Sequence, residues 1–85
     1  TFDLKNQPNP FTGKTNIHFN VKDKSKAKIV VYDLFGKEIF ADNFDTNFGA
    51  NVYEFDGSKL SSGIYFYTIH YKNYSETKRM VIAEN

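Results

Sequence analysis

The sequence predicts an all-β fold, a seven-stranded antiparallel β-sandwich of Ig-like type. Three observations carry this. Turn residues punctuate the chain at roughly 8–12-residue intervals, the spacing of short antiparallel strands. Aromatic and β-branched residues, which favour strands, fill the intervals. Nine Phe and six Tyr stand among the 85 residues, without a Trp. No stretch keeps the three-to-four-residue apolar spacing of a long helix. An open barrel is the competing architecture.

At 85 residues the chain reads as a single domain, residues 1–85. So small a domain buries only roughly 60–65% of its unfolded surface, so its core must be dense in large side chains. The chain opens on Thr1 without a Met, which reads as a fragment of a larger exported protein.

Taken in order, residues 2–5 alternate weakly and form a candidate first strand. Pro8-Asn9-Pro10-Phe11 cannot lie inside a central strand and reads as an extended crossing. Residues 15–22 alternate cleanly, with Thr15, Ile17, Phe19 and Val21 on the buried face. Residues 26–34 carry apolar side chains on both faces, Ile29 and Val31 against Val30 and Tyr32, as a central strand does. Phe35-Gly36-Lys37 is a tight turn, with Gly36 free to take positive φ and Asp33 ahead of it as a turn residue. Residues 38–42 form a fourth strand, and residues 43–51 read as a polar loop. Residues 52–56 form a fifth strand with Tyr53 and Phe55 inward. Residues 57–63 cross over, pinned by Leu60. Residues 64–71 are the sixth strand, Lys72-Asn73-Tyr74-Ser75 a hairpin turn, and residues 76–83 the seventh strand. Tyr65, at the start of the sixth, reads as a corner tyrosine whose ring packs while its hydroxyl meets backbone.

Composition argues against several functions. A formal net charge of +1 gives no long-range field to gather nucleic acid or anionic lipid. Lys22, Lys24, Lys26 and Lys28 read as a solvated turn and strand edge, with Arg79, the only Arg, far away in sequence. No stretch approaches the ~20 apolar residues of a membrane helix, so no direct membrane insertion is expected. The absence of Cys leaves the compartment open.

The sequence carries no constellation for catalysis. His18 and His70 read as exposed strand residues, without the partners a zinc site needs. No nucleophile elbow or phosphate-binding loop is present. Asp42, Asn43 and Asp45 offer a weak calcium loop, and Tyr65, Tyr67, Tyr71 and Tyr74 a conceivable sugar-stacking strip. The expectation is a domain that is recognised or binds, with no cofactor, no metal and no enzymatic activity.

The order of motifs is more specific than any one of them. Pro8-Asn9-Pro10-Phe11 comes first, followed by Ile17, Phe19 and Val21, then Val31-Tyr32-Asp33-Leu34-Phe35-Gly36-Lys37-Glu38-Ile39. Leu60-Ser61-Ser62-Gly63-Ile64-Tyr65-Phe66-Tyr67 and Thr77-Lys78-Arg79-Met80-Val81-Ile82 complete the series. In that order and spacing the chain resembles the C-terminal sorting domain of the type IX (Por) secretion system of Bacteroidetes, from about Asn6 to Ile82. Where the family more often has Tyr before Pro-Asn-Pro, this chain has Gln7, and it continues as Ala83-Glu84-Asn85 after the apolar run.

The resemblance implies a module that carries cargo from the periplasm through an outer-membrane translocon. A sortase-like surface peptidase then removes it, and the cargo stays on the cell surface or is released. By motif, recognition falls on Gly63, Tyr65, Lys78, Val81 and Ile82. Pro8, Asn9, Pro10, Asp33, Gly36 and Lys37 match the family's other shared motifs. A terminal strand open to pairing leaves a swapped homodimer available. The Ig-like domain of flagellar hook-capping proteins shares the Pro-Asn-Pro-Phe start and the Tyr-Asp-x-x-Gly-Lys turn. A structural interaction module and a carbohydrate-binding module are therefore the alternatives.

Overall fold

A computed structural model describes residues 2–84. Its seven strands are β1 (Lys5–Gln7), β2 (Lys14–Val21), β3 (Ser25–Tyr32), β4 (Glu38–Thr46), β5 (Gly49–Asp56), β6 (Gly63–Tyr71) and β7 (Tyr74–Ile82). They form two antiparallel sheets, one of order β1-β2-β5 and one of order β4-β3-β6-β7. The described residues contain no helix.

The alternation of β2 is the plainest link from sequence to packing. Thr15, Ile17, Phe19 and Val21 are all buried, and they meet Ile29, Val31, Tyr67 and Ile69 in the core between the sheets. β3 lies between β4 and β6, the covered position that its two apolar faces predict.

Three boundaries differ from the sequence reading. The first strand lies at Lys5–Gln7, not at residues 2–5. Asp3 takes a φ of 55°, which breaks the extended run, and Phe2 and Leu4 plug the core from outside any strand. An Asp tolerates this left-handed backbone better than most residues. Residues 43–51 are not a loop, since β4 runs to Thr46 and β5 starts at Gly49. Their polar side chains substitute for backbone partners. Thr46 Oγ1 accepts from Ser25 N–H at 3.1 Å, and Asn51 Oδ1 accepts from Asn47 N–H at 2.9 Å. The last hairpin turns on Lys72-Asn73 alone, with Tyr71 already opposite Tyr74 and Lys72 at φ 53°.

Each open side of the sandwich is closed. Where β4 passes from one sheet to β5 in the other, Phe40 meets Phe55 edge-on at 5.3 Å. On the same side Phe44 meets Tyr53 at 4.9 Å, and the Tyr53 hydroxyl donates to Asp42 Oδ2 at 2.7 Å. Burial, reinforced by that bond, raises the Tyr53 pKa above the usual tyrosine value. On the other side, residues 8–11 leave β1 and lie along the outer edge of β7 as a strap. Phe11 forms a parallel bridge with Ile82.

The molecule is 37 Å along its longest axis. Phe2 packs on Tyr71 near the β2–β3 and β6–β7 turns. Gly63 and Ile82 pair at the opposite pole, where the β3–β4 turn also lies.

Candidate functional site

The motif residues converge on the pole where β7 finishes. Gly63 pairs with Ile82, Ile64 with Val81, Tyr65 with Met80, and Tyr67 with Lys78. Gly63 is exposed at φ 147°, a conformation that disfavours any side chain. The Tyr65 ring is 8% exposed, and its hydroxyl donates to Ser61 O at 2.7 Å. This is the corner tyrosine that the sequence predicts. Ile82 is buried in the core, Val81 is half-buried on the outer face, and Lys78 is exposed on the edge strand.

Pro8, Asn9 and Pro10 join this corner through the strap. Asn9 Oδ1 accepts from Val81 N–H at 2.9 Å, and Asn9 Nδ2 donates to Arg79 O at 3.4 Å. Phe11 N–H donates to Val81 O at 3.0 Å, and Ala83 N–H donates to Phe11 O at 2.8 Å. The strap thus satisfies the edge of β7 from Arg79 to Ala83. Inside, the Thr15 hydroxyl donates to Pro8 O at 2.7 Å, Asn6 Nδ2 donates to Thr15 Oγ1, and the Tyr67 hydroxyl donates to Asn6 Oδ1 at 3.2 Å. Burial raises the Tyr67 pKa, and the nearby charge of Glu76 adds to the shift.

Asp33, Gly36 and Lys37 stand at the same pole, two strands from β7. The amides of Phe35 and Lys37 both donate to Asp33 Oδ1 at 2.9 Å, Gly36 N–H donates to Asp33 O at 3.0 Å, and Asp33 N–H donates to Lys37 O at 2.9 Å. Gly36 takes φ 84°, which this closed turn needs.

The sequence reading missed Gly57. A Cβ there would stand 3.0 Å from Ile82 Cδ1 and 3.2 Å from Phe11 Cε2. Gly57 is what lets the crossing loop press against the strap and the terminal strand. Only its place in a Gly-containing loop hinted at this.

With this geometry in hand, the comparison with known families is decisive. The family model for the secretion system C-terminal sorting domain matches residues 7–83. The chain belongs to that family. It is a type IX secretion sorting domain, a signal for export across the outer membrane that acts with the type IX machinery. Among curated proteins, none matches the chain.

The side chains of the other sites that the sequence left open are placed differently in the described residues. Tyr65, Tyr67 and Tyr71 are buried and only Tyr74 is well exposed, so no tyrosine strip faces a sugar. Asp42, Asn43 and Asp45 lie on a strand and not in a calcium loop. Asp42 is exposed on the edge strand and accepts from the Tyr53 hydroxyl, while Asp45 pairs with Lys26 at 2.9 Å. That exposed pair holds Asp45 below the usual carboxylate range through its bond to Lys26. His70 is exposed, but His18 is half-buried between its neighbours Lys5 and Val52, contrary to the exposed position expected. The described residues hold no group of three or more His, Cys, Asp or Glu side chains able to bind a metal ion.

Proposed function

We propose that this sorting domain acts as an address and not as an enzyme, read at the corner of β6, β7 and the strap. The supporting observation is the direct hydrogen bonding of the Pro-Asn-Pro-Phe motif to the terminal Arg79-Met80-Val81 motif. Motifs at opposite ends of the sequence build one surface. In this reading Gly63, Lys78 and the half-buried Val81 are the accessible members. Tyr65 and Ile82 set the position of the strand they stand on or pair with. Asp33, Gly36 and Lys37 fix a closed turn at the same pole.

The cargo crosses the periplasm, passes the translocon and reaches the cell surface or the medium. A sortase-like peptidase then removes the domain. The edge of β7 that the strap leaves uncovered, around Ser75 and Thr77, is the part open to a second copy, so a homodimer would pair there.

The test fuses the domain to the C-terminus of a periplasm-targeted fluorescent protein in a Bacteroidetes host. Export of the reporter, lost when residues 80–85 are deleted, is the expected result. A reporter that stays periplasmic beside one exported by a known sorting domain ends this reading.

A further inference from the structure

The two outer faces of the sandwich differ in kind. On the three-stranded sheet the outward positions include Lys14, Asn16, His18, Asn20 and Glu54, with Lys14 and Glu54 paired at 3.6 Å. That face is mostly polar, with Val52 exposed on it opposite His18. Toward the pole where Gly63 pairs with Ile82, the outward positions of the four-stranded sheet form largely apolar cross-strand rows. Val30 lies between Ala41 and Thr68, Phe66 between Tyr32 and Arg79, and Ile64 opposite Val81.

Val30 is 3% exposed and Thr68 6%, so surrounding side chains already exclude water from the middle of this face. The hydroxyls of Thr68 and Thr77 bond each other at 2.6 Å and need no outside partner. At the same pole Leu34 and Phe35 stand exposed on the β3–β4 turn, Phe35 at 92%, and Ile64 is 37% exposed. The Asp33 hydrogen bonds hold the turn closed, so the backbone that carries the ring is already ordered. Exposed apolar side chains gathered at one end of a face and rimmed by polar groups mark an interaction site.

The charges on this face say what covers it. Arg79, Lys28 and Lys37 stand against Glu38, and among the described residues none of the four is in an ion pair. The Asp33 carboxylate is committed to the turn amides. The face is therefore apolar with an excess of unpaired cations.

We propose that it is a docking surface for a protein partner that offers an apolar strip flanked by carboxylates, with Arg79 as the central charge contact. That partner is a component of the type IX translocon; this part rests on the sorting reading above. A second copy of the chain fits poorly, because it would bring the same cationic excess to both sides. The proposal assigns a role to Phe66 and Tyr32, which lie beyond the terminal corner, and to the side chain of Arg79, whose carbonyl already meets the strap.

The test titrates the reporter fusion with detergent-solubilised type IX translocon, following fluorescence anisotropy. Phe66→Thr and Arg79→Glu should each weaken binding about tenfold or more, the effect of losing an interface anchor. Arg79→Lys should stay within about threefold of the parent, since it keeps the charge. Added salt should weaken the parent but not Arg79→Glu. Unfolding midpoints confirm that the variants are folded. Equal binding by the parent, Phe66→Thr and Arg79→Glu overturns the docking surface while an exported parent keeps the sorting reading. A parent that is neither bound nor exported removes both. Two further results overturn the proposal. One is self-association of the parent in sedimentation that Arg79→Glu abolishes. The other is equal binding to anionic lipid vesicles without translocon.

Discussion

Asn9 holds Val81 across almost the whole chain: the Val81 amide donates to Asn9 Oδ1 at 2.9 Å, and 72 positions separate the two residues. The same side chain reaches Arg79 O and Asn6 Oδ1 through its Nδ2. One residue of the first motif thereby satisfies the edge of the last strand.

Asn9→Ala should lower stability by about 1 kcal/mol, the net value of an ordinary hydrogen bond. Amide exchange at Val81 should accelerate. Asn9→Asp keeps the acceptor and should cost less than Asn9→Ala. Urea unfolding with exchange monitored by NMR checks this, and unchanged protection of Val81 in Asn9→Ala would refute it.

The corner tyrosine separates packing from hydrogen bonding. Tyr65→Ala should cost about 3–5 kcal/mol, as should Phe19→Ala, because both rings are core. Tyr65→Phe removes only the bond to Ser61 O and should cost about 0.5–1.5 kcal/mol. The larger losses approach the ~5–15 kcal/mol total of a typical domain. Denaturant unfolding measures all three, and a loss under about 1 kcal/mol in Phe19→Ala would contradict the burial.

Gly57 and Gly63 should fail for different reasons. Gly57→Ala forces a methyl against Ile82 and Phe11 and should cost about 1–3 kcal/mol. Adding Ile82→Val, which removes the Cδ1 atom that is struck, should recover part of that loss. Gly63→Ala meets open space but keeps a φ of 147°, so its similar cost, about 1–3 kcal/mol, is backbone strain. No second-site trimming should relieve it. Thermal melts of the singles and the double separate the two cases.

Much of this fold is legible in the sequence because it rests on local alternation. Thr15 to Val21 gives its buried face directly, and the doubly apolar β3 announces a central strand. Asp33 and Gly36 declare their turn by residue type. The polar stretch around Asn47 and Asn51 misleads, because there side-chain amides do the work of backbone groups and polarity no longer means loop. The strap is invisible for another reason. Its bonds join Asn9 and Phe11 to Val81, and no local period reports a contact that distant. Of the candidate site, sequence motifs name the residues, but only the structure separates exposed Lys78 from buried Tyr65 and Ile82.

Alkaline pH should weaken the domain in a defined window. Burial raises the Tyr53 pKa above its ordinary 10.0, and the bond to Asp42 adds to the shift. The folded state therefore favours the neutral phenol. Stability is fully present below pH 10 and falls as pH rises above it, when the unfolded chain ionises first. Tyr67 acts in the same direction. Tyr53→Phe should flatten the decline above pH 10, in unfolding curves collected across that range. An unchanged slope would show that Tyr53 ionises equally in both states.

Phe2 and Ile82 leave the sandwich at opposite poles, and the strap runs parallel to β7. A pull applied between the two ends would draw the strap and β7 past each other along their length. The bonds of Asn9 and Phe11 to Val81 and Ala83 lie across that direction, so they would carry the load together and not open one by one. Forced unfolding is governed by the height of the barrier and not by equilibrium stability. A domain of ordinary thermodynamic stability can thus resist tension strongly and act as a rigid handle while it is being hauled.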